Sequence, residues 1–451
     1  MSEQKIQHRK KIQLSDHFTL GRMIRFTLPS IAMMIFTSIY GMVDGFFVSN
    51  YAGAVPFAAL NLAFPFNIIL SAIGFMFGTG GTALVSYVLG QGDKKKASEL
   101  FSLITYVLTG CGVVLGLVGY FIAEPMSRLL GATEEMLPYS VLYIQINMLG
   151  IPFLQLQHLF QSFFVTAEKP KLGLVVTVLS GCANMLLDYL FVGVFDLGLA
   201  GAAWATVASE VVGGLVPVIY FFAPNSSILR LGKTHWYGKD LWKTCTNGSS
   251  EFLSNAASSI VGMLYNLQLM AYIGSNGVAA YGVLMYSNFI FVGIYFGYTM
   301  GIAPVFGYAN GAKNTEELKG LFRKSIWMIG ISSVVLTILA ELTAKPIVSI
   351  FVGYDEDLLA LTLHAFRIYA ISFLFMGFNI FGSGLFTALN NGLISAILSI
   401  LRSLVLQLIT IYTLPLIFGA DGLWSVVLVS EGVCLIVTII MMIIYRKKYQ
   451  Y

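Results

Sequence analysis

Residues Val175–Val194 read VVTVLSGCANMLLDYLFVGV, an apolar run that nonetheless contains Asn184 and Asp188. A membrane span needs roughly 20 apolar residues, so this run is long enough to cross a bilayer. A carboxylate within a span costs roughly 3 kcal/mol or more to insert and so marks an ion, proton or substrate path. Asn184 and Asp188 are four residues apart and therefore share one helix face. The rest of the chain is expected to enclose this face and to open it on alternate sides of a membrane.

The rest of the composition agrees. Of 451 residues, 57% are hydrophobic and 11% charged, where a soluble domain carries roughly 25% charge. Mean hydropathy is +0.80. These values describe a polytopic membrane protein. They exclude a soluble enzyme or a nucleic-acid binder as a starting point, because the net charge of +4 is small and Lys and Arg lie in loops. Cys111, Cys182, Cys245 and Cys434 show no CxxC or Cys/His spacing and read as free thiols serving as small apolar residues. The first 18 residues, MSEQKIQHRKKIQLSDHF, are polar and basic; the hydrophobic run after them is too long for a signal-peptide core, so a tail and an uncleaved span are expected.

Twelve stretches qualify as spans: 23–49, 56–89, 98–122, 138–166, 172–194, 199–223, 243–273, 278–308, 321–343, 358–388, 393–418 and 422–445. The second is long and contains Pro65 and Gly78-Thr79-Gly80-Gly81, which predicts a bent helix. With the N-terminus inside, 22 of the 26 Lys and Arg fall on the inner side, leaving Arg128 and Lys345 outside and Arg367 and Arg402 in spans. The positive-inside rule therefore predicts two cytoplasmic termini, which an even span count allows.

An internal repeat is visible at a constant offset of about 221 residues. It pairs Tyr51-Ala52-Gly53 with Tyr272-Ile273-Gly274, Gly80, Tyr87 and Gly90 with Gly301, Tyr308 and Gly311, and Ser209-Glu210 with Ser430-Glu431. The expected fold is all-α: twelve transmembrane helices in two six-helix lobes related by a pseudo-two-fold axis along the membrane normal, with a central site between them. The expected divisions are a tail (1–22), a first lobe (23–223), a cytoplasmic linker (224–242), a second lobe (243–445) and a short tail (446–451).

Counting about 1.5 Å per residue puts Asp44 on the first span and Asp188 on the fifth at one depth, with Thr206 of the sixth at a similar level. Tyr40 stands one turn before Asp44. Tyr40, Asp44, Asn184, Asp188 and Thr206 can thus converge in the outer part of the first lobe. The repeat mates of the two aspartates are Tyr265 and Ile409, so the acid pair belongs to one lobe. Two carboxylates with an amide and a hydroxyl suit Na⁺; they suit H⁺ equally, because two close carboxylates in a low dielectric cannot both ionise cheaply. The competing reading places both aspartates at helix ends facing outer water.

Other candidates carry a structural alternative beside the functional one. Glu210 and Glu431 are repeat mates, for which symmetric packing or hinge duty competes with substrate binding. Glu251, in NGSSEFLSN, either meets a cationic substrate or caps a helix start after Asn247 and Gly248. His158 and His364 read as packing or hydrogen-bonding residues. Arg402 either partners a carboxylate or snorkels. Met33, Met34, Phe36 and Tyr40, with Met263, Tyr265, Met270 and Tyr272, suit flat lipophilic cations, although such stripes usually serve core or lipid.

These residues carry a family resemblance. The chain resembles the multidrug and toxic compound extrusion (MATE) family over nearly its whole length, in LPS with Pro29, MVDGFFVSNYAG, LGQGDKKKASE, NGSSEFLSN and, most specifically, NMLLDYLF followed by GLAGAAWAT. The resemblance implies a V-shaped pair of helical bundles exporting lipophilic cations in exchange for H⁺ or Na⁺. It also implies a coupling site at Asp44, Asn184, Asp188 and Thr206, with Tyr40 and a bend at Pro29 as neighbours. Ser250, the mate of Pro29, departs from the many members with proline there, and the tenth span lacks the acidic residue some members carry. Expected partners are small organic cations and membrane lipid, in a monomer of the bacterial plasma membrane, with no cofactor beyond the coupling ion. A flippase for a lipid-linked saccharide is the alternative, disfavoured by acidic rather than basic candidates. An enzyme or receptor is disfavoured by the lack of HExxH, a His/Asp metal cluster, a Gly-flanked serine in a span, or a long extramembrane segment.

Overall fold

The computed structural model describes residues 12–451, except the side chains at positions 42, 44, 45, 49, 50 and 54. Helices follow one another in the order α1 (Leu20–Phe47), α2 (Ala54–Gly90), α3 (Lys94–Phe121), a short α4 (Ala123–Leu129), α5 (Leu137–Thr166), α6 (Pro170–Asp188) and α7 (Gly198–Phe222). The second half adds α8 (Gly238–Tyr272), α9 (Ser275–Gly311), α10 (Thr315–Val352), α11 (Glu356–Ala370), α12 (Phe373–Ala388), α13 (Gly392–Ile400), α14 (Leu406–Phe418) and α15 (Ala420–Tyr449). Wider π-type turns extend α1 over Val48–Ala52 and α6 over Tyr189–Val194, and join α13 to α14 over Leu401–Val405.

These helices make twelve membrane spans in two lobes of six. Ten spans, the joined α13–α14 among them, are long and apolar enough to cross a bilayer, and α11 with α12 form an eleventh bent by 48°. The expected span 358–388 is broken at Ile371 and Ser372, where the Ser372 hydroxyl donates to the Tyr369 carbonyl at 2.6 Å. Such a hydroxyl competes with the helical ladder and favours a break. The twelfth span, α8, is 35 residues long but too polar to qualify on apolarity, and it is packed along α2 and α13. α2 runs without interruption through Pro65 and the glycines of 78–81.

The repeat is expressed in local chemistry. Gly53 and its mate Gly274 both adopt positive φ, +98° and +87°, ahead of α2 and α9, a conformation that costs glycine least. Asp93 and its mate Asn314 cap α3 and α10, accepting the N–H of Lys96 at 2.9 Å and of Glu317 at 3.0 Å, which satisfies helix-start donors.

Packing is uneven along the molecule. At the end that carries the basic loops, hereafter the basic end, one apolar cluster runs through both lobes, with Phe18, Phe101, Phe160 and Phe221 continuous with Phe306, Phe381 and Phe386. Toward the other end the core divides into a second-lobe cluster around Tyr265, Phe291, Phe373 and Trp424 and a first-lobe cluster around Tyr143, Ile144 and Leu199. The lobes are therefore fused at the basic end, and their contact continues beyond it through a smaller cluster in which Met33 and Met34 of α1 meet Met300 and Phe296 of α9, with the Ser38 hydroxyl donating to the Phe289 carbonyl at 3.1 Å.

The contact at the basic end is reciprocal. A Cβ on Gly90 would collide with the Tyr308 carbonyl, and one on Gly311 with the Tyr87 carbonyl. Gly90 and Gly311 are repeat mates, as are Tyr87 and Tyr308, which is the signature of a two-fold relation. A strap formed by residues 12–19 crosses this end. Leu14 N–H donates to Glu168 Oε1 in the first lobe at 2.8 Å; Phe18 N–H donates to Glu317 Oε1 in the second at 2.9 Å, and His17 Nδ1 lies 2.6 Å from Glu317 Oε2.

Between the halves, the segment from Ala223 to Tyr237 contains no helix and lies on α3. The Tyr237 hydroxyl donates to Glu99 Oε2 at 2.5 Å, which holds the phenol pKa above its ordinary value because the bond favours the protonated form.

Candidate functional site

α6 presents Thr177, Ser180, Asn184 and Asp188 to the interior of the first lobe, all at 2% exposure or less. The i, i+4 spacing puts Asn184 and Asp188 on one face, and Asp188 is fully buried where the α-helix gives way to the π-type turn. Such wide turns occur preferentially at functional sites. α7 is tied to α6 by the Ser180 hydroxyl, which donates to the Ser209 carbonyl at 2.7 Å. Because the two helices run antiparallel, this bond brings Thr206 to the level of Asn184. The Thr206 hydroxyl and the Asn184 amide oxygen are both buried without a hydrogen-bond partner among the described residues. Burying such atoms costs free energy, and a bound cation or water would recover it.

α1 completes the wall. The Tyr40 and Phe36 rings lie directly on Gly181, where a Cβ would approach them within 2.8 and 2.5 Å, and the Tyr40 hydroxyl accepts from Gln157 Nε2 of α5 at 3.4 Å. Tyr40, Asn184, Asp188 and Thr206 thus come from three helices of one lobe. α1 also carries Asp44, whose side chain lies outside the described residues. Glu210 is 6% exposed on α7, its Oε2 pressed on Gly150 of α5; it faces α5 within the lobe. Pro29 sits inside α1, four residues after Arg25, whose carbonyl therefore lacks the usual helical donor.

The second lobe treats its equivalent acid differently. Glu431, the mate of Glu210, is 1% exposed. Its Oε1 accepts from Arg402 Nε at 2.7 Å and its Oε2 from Asn379 Nδ2 at 2.7 Å, while Thr438 donates to Asn379 Oδ1 at 2.9 Å. Arg402 sits in the Leu401–Val405 turn, also within electrostatic reach of Glu251. Of the two sequence readings of Arg402, partnership with a carboxylate is the one realised. Glu251 lies well inside α8, which starts at Gly238, so its reading as a helix-start cap is corrected. Tyr265 is 1% exposed, stacked on Tyr281 at 4.4 Å and bonded through its hydroxyl to the Leu423 carbonyl. It is core of the second lobe.

His158 stacks on Phe75 at 4.0 Å and contacts Gln161 Oε1 at 3.4 Å; His364 pairs with Asp421 at 2.8 Å on an exposed surface. Sequence reasoning missed Gln157, Gln161 and Thr177, buried polar residues beside the site. A signal was present, because their repeat mates Phe378, Gly382 and Leu398 are all apolar or glycine.

The chain is 25% identical over 432 residues to the multidrug export protein MepA of Staphylococcus saprophyticus, covering 94% of each. It is 25% identical over 433 residues to MepA of Staphylococcus aureus strain MRSA252, again covering 94% of each. Among solved structures, the outward-facing conformation of a multidrug resistance MATE family transporter of the MOP superfamily superposes with a TM-score of 0.92 at 21% identity, covering 98% of this chain and 99% of that one. A MATE crystal structure in the bent conformation gives 0.88 at 21% identity, covering 96% and 97%. The MatE family model matches residues 29–190 and again 252–413, one match per lobe, and the chain belongs to the MatE family of transporters.

Proposed function

We propose that this chain is a secondary antiporter that exports lipophilic, mostly cationic compounds in exchange for H⁺ or Na⁺, by alternating access between its lobes. The observation that carries the reading is the fully buried Asp188, one turn from the buried Asn184, in one lobe only. A buried carboxylate that admits a cation is stabilised with it and destabilised without it, so its occupancy can drive a conformational change. The multidrug export proteins at 25% identity support the substrate class.

In this reading Asp44, Asn184, Asp188, Thr206 and Tyr40 take the coupling ion, with Na⁺ held by oxygens of the first four or H⁺ shared between the carboxylates. Glu251 faces the exported cation from the second lobe; Pro29 lets α1 flex, and Glu210, Glu431 and Tyr265 support the packing that moves. The lobes extend over 23–223 and 243–445, joined by a linker over 224–242 and flanked by tails over 1–22 and 446–451. The protein acts as a monomer in the bacterial plasma membrane with both termini in the cytoplasm, so the fused basic end closes the inner side.

The test is efflux of a fluorescent lipophilic cation from proteoliposomes under a pH gradient and, separately, a Na⁺ gradient, wild type beside Asp188→Asn. Efflux that follows one gradient in the wild type and is lost in the variant is expected. Efflux under neither gradient by folded protein sinks the reading and favours flipping of a lipid-linked saccharide.

A further inference from the structure

A line of buried polar side chains leads from the Asn184/Asp188 site toward the basic end, inside the first lobe. Gln157 Nε2 donates to the Tyr40 hydroxyl beside Gly181, within two turns of Asp188. Gln157, Gln161 and Thr177 then line one narrow void between α5, α6 and α7. Gln157 and Gln161 are four apart on α5. Thr177 and Asp188 are eleven apart on α6, three turns, hence on one face. Gln161 Nε2 and, further down, the Thr166 hydroxyl are buried with no partner among the described residues, and Glu168 follows in the next turn at 7% exposure.

The other lobe supplies an internal comparison, since the repeat places an equivalent run of helices there, with the mate of α5 broken into α11 and α12. There Gln157, Gln161, Thr177, Asn184, Asp188 and Glu168 are replaced by Phe378, Gly382, Leu398, Val405, Ile409 and Leu389. The second lobe places its own buried polar residues, Asn379, Ser383, Ser395 and Ser399, at other positions of the repeat, so the first-lobe line is not repeated. Structural need common to both lobes therefore does not account for it. The Gln161 Nε2 donor and the Thr166 hydroxyl are buried without a partner among the described residues, a cost that water travelling with an ion along this line would recover.

We propose that Tyr40, Gln157, Gln161 and Thr177 form the route by which the coupling cation leaves the Asn184/Asp188 site toward the basic end. The proposal rests on the antiport reading above. Amide and hydroxyl oxygens are the ligands that replace water around Na⁺; for H⁺ the same groups would order the water that carries it. The void is narrow in this state, so passage accompanies the conformational change.

The experiment uses the purified full chain in proteoliposomes with ethidium as the transported cation, comparing wild type, Asp188→Asn and the double variant Gln161→Leu/Thr177→Val. Two activities are read: efflux driven by whichever of the H⁺ or Na⁺ gradients drives the wild type, and ethidium exchange without any ion gradient. Gln161→Leu also removes the 3.4 Å contact with His158 Nδ1, so folding of the double variant is checked by thermal unfolding in detergent before either activity is read. The expected result is gradient-driven efflux reduced about tenfold or more, for want of oxygens to carry the ion, with exchange retained. Gln161→Asn, which keeps an amide, should recover part of the loss. Equal loss of both activities, or loss of neither, overturns the route. Driven efflux lost in Asp188→Asn but intact in the double variant rejects the route while keeping the site. A wild type that exchanges ethidium yet ignores both gradients overturns the antiport reading itself, and the route with it.

Discussion

Arg402 Nε donates to Glu431 Oε1 across 2.7 Å inside the second lobe, while at the repeat mate of Arg402 the first lobe has Gly181, on which Tyr40 and Phe36 rest. One position of the repeat thus holds a neutralising cation in one lobe and an open floor in the other. Arg402→Gln leaves Glu431 buried with its charge unmatched, which costs about 3 kcal/mol or more. The double variant Arg402→Gln/Glu431→Gln should recover most of that. Thermal unfolding of the two proteins in detergent checks it, and a double variant as unstable as the single one contradicts the pairing.

The floor at Gly181 gives a second prediction. A side chain there displaces Tyr40 and Phe36, an overpacking that costs about 1–3 kcal/mol, and breaks the bond from Gln157. Gly181→Val should lower ion-driven efflux while leaving equilibrium binding of the exported cation near wild type, as measured by fluorescence titration.

Gly90 and Gly311 permit the lobes to meet backbone to backbone at the basic end. Valine at either position holds α2 and α9 apart, because backbone atoms cannot yield as a flexible side chain would. Either single variant should abolish closure of that end. Spin-label distances between the loops after α2 and after α9 would show a longer separation than in wild type, and an unchanged distance would refute the prediction.

The strap over residues 12–19 joins the lobes through Glu168 and Glu317, and Lys324 Nζ also donates to the Phe18 carbonyl at 2.5 Å. Glu317→Gln weakens charge-assisted bonds worth about 1.5–3 kcal/mol each. The state closed at the basic end should lose population. Faster maleimide labelling of an Ala312→Cys reporter in Glu317→Gln than in the parent would register that loss.

Much of the architecture is legible in the chain alone because bilayer insertion depends on local properties. Apolar stretches separated by polar loops mark twelve spans, and a gapless offset reveals the two lobes. α8 is the most polar of them, and the packing of α2 and α13 along it, with Ser250 against Thr387 of α12 at 3.4 Å, is visible only in the tertiary structure. The break at Ile371–Ser372 is likewise invisible, because a serine that redirects its own backbone resembles one that does not.

For the candidate site, the sequence by itself determined the helical class, the repeat, and the common face of Asn184 and Asp188, since helical periodicity follows from covalent geometry. Which groups meet across helices was decided by tertiary packing alone. The spacing of residues says nothing of whether Arg402 reaches Glu431, whether Gln157 reaches Tyr40, or whether Tyr265 lines a cleft or stacks on Tyr281. Those contacts depend on helix rotation and on where glycine lets two backbones approach, and these are properties of pairs of helices that no single stretch of chain contains.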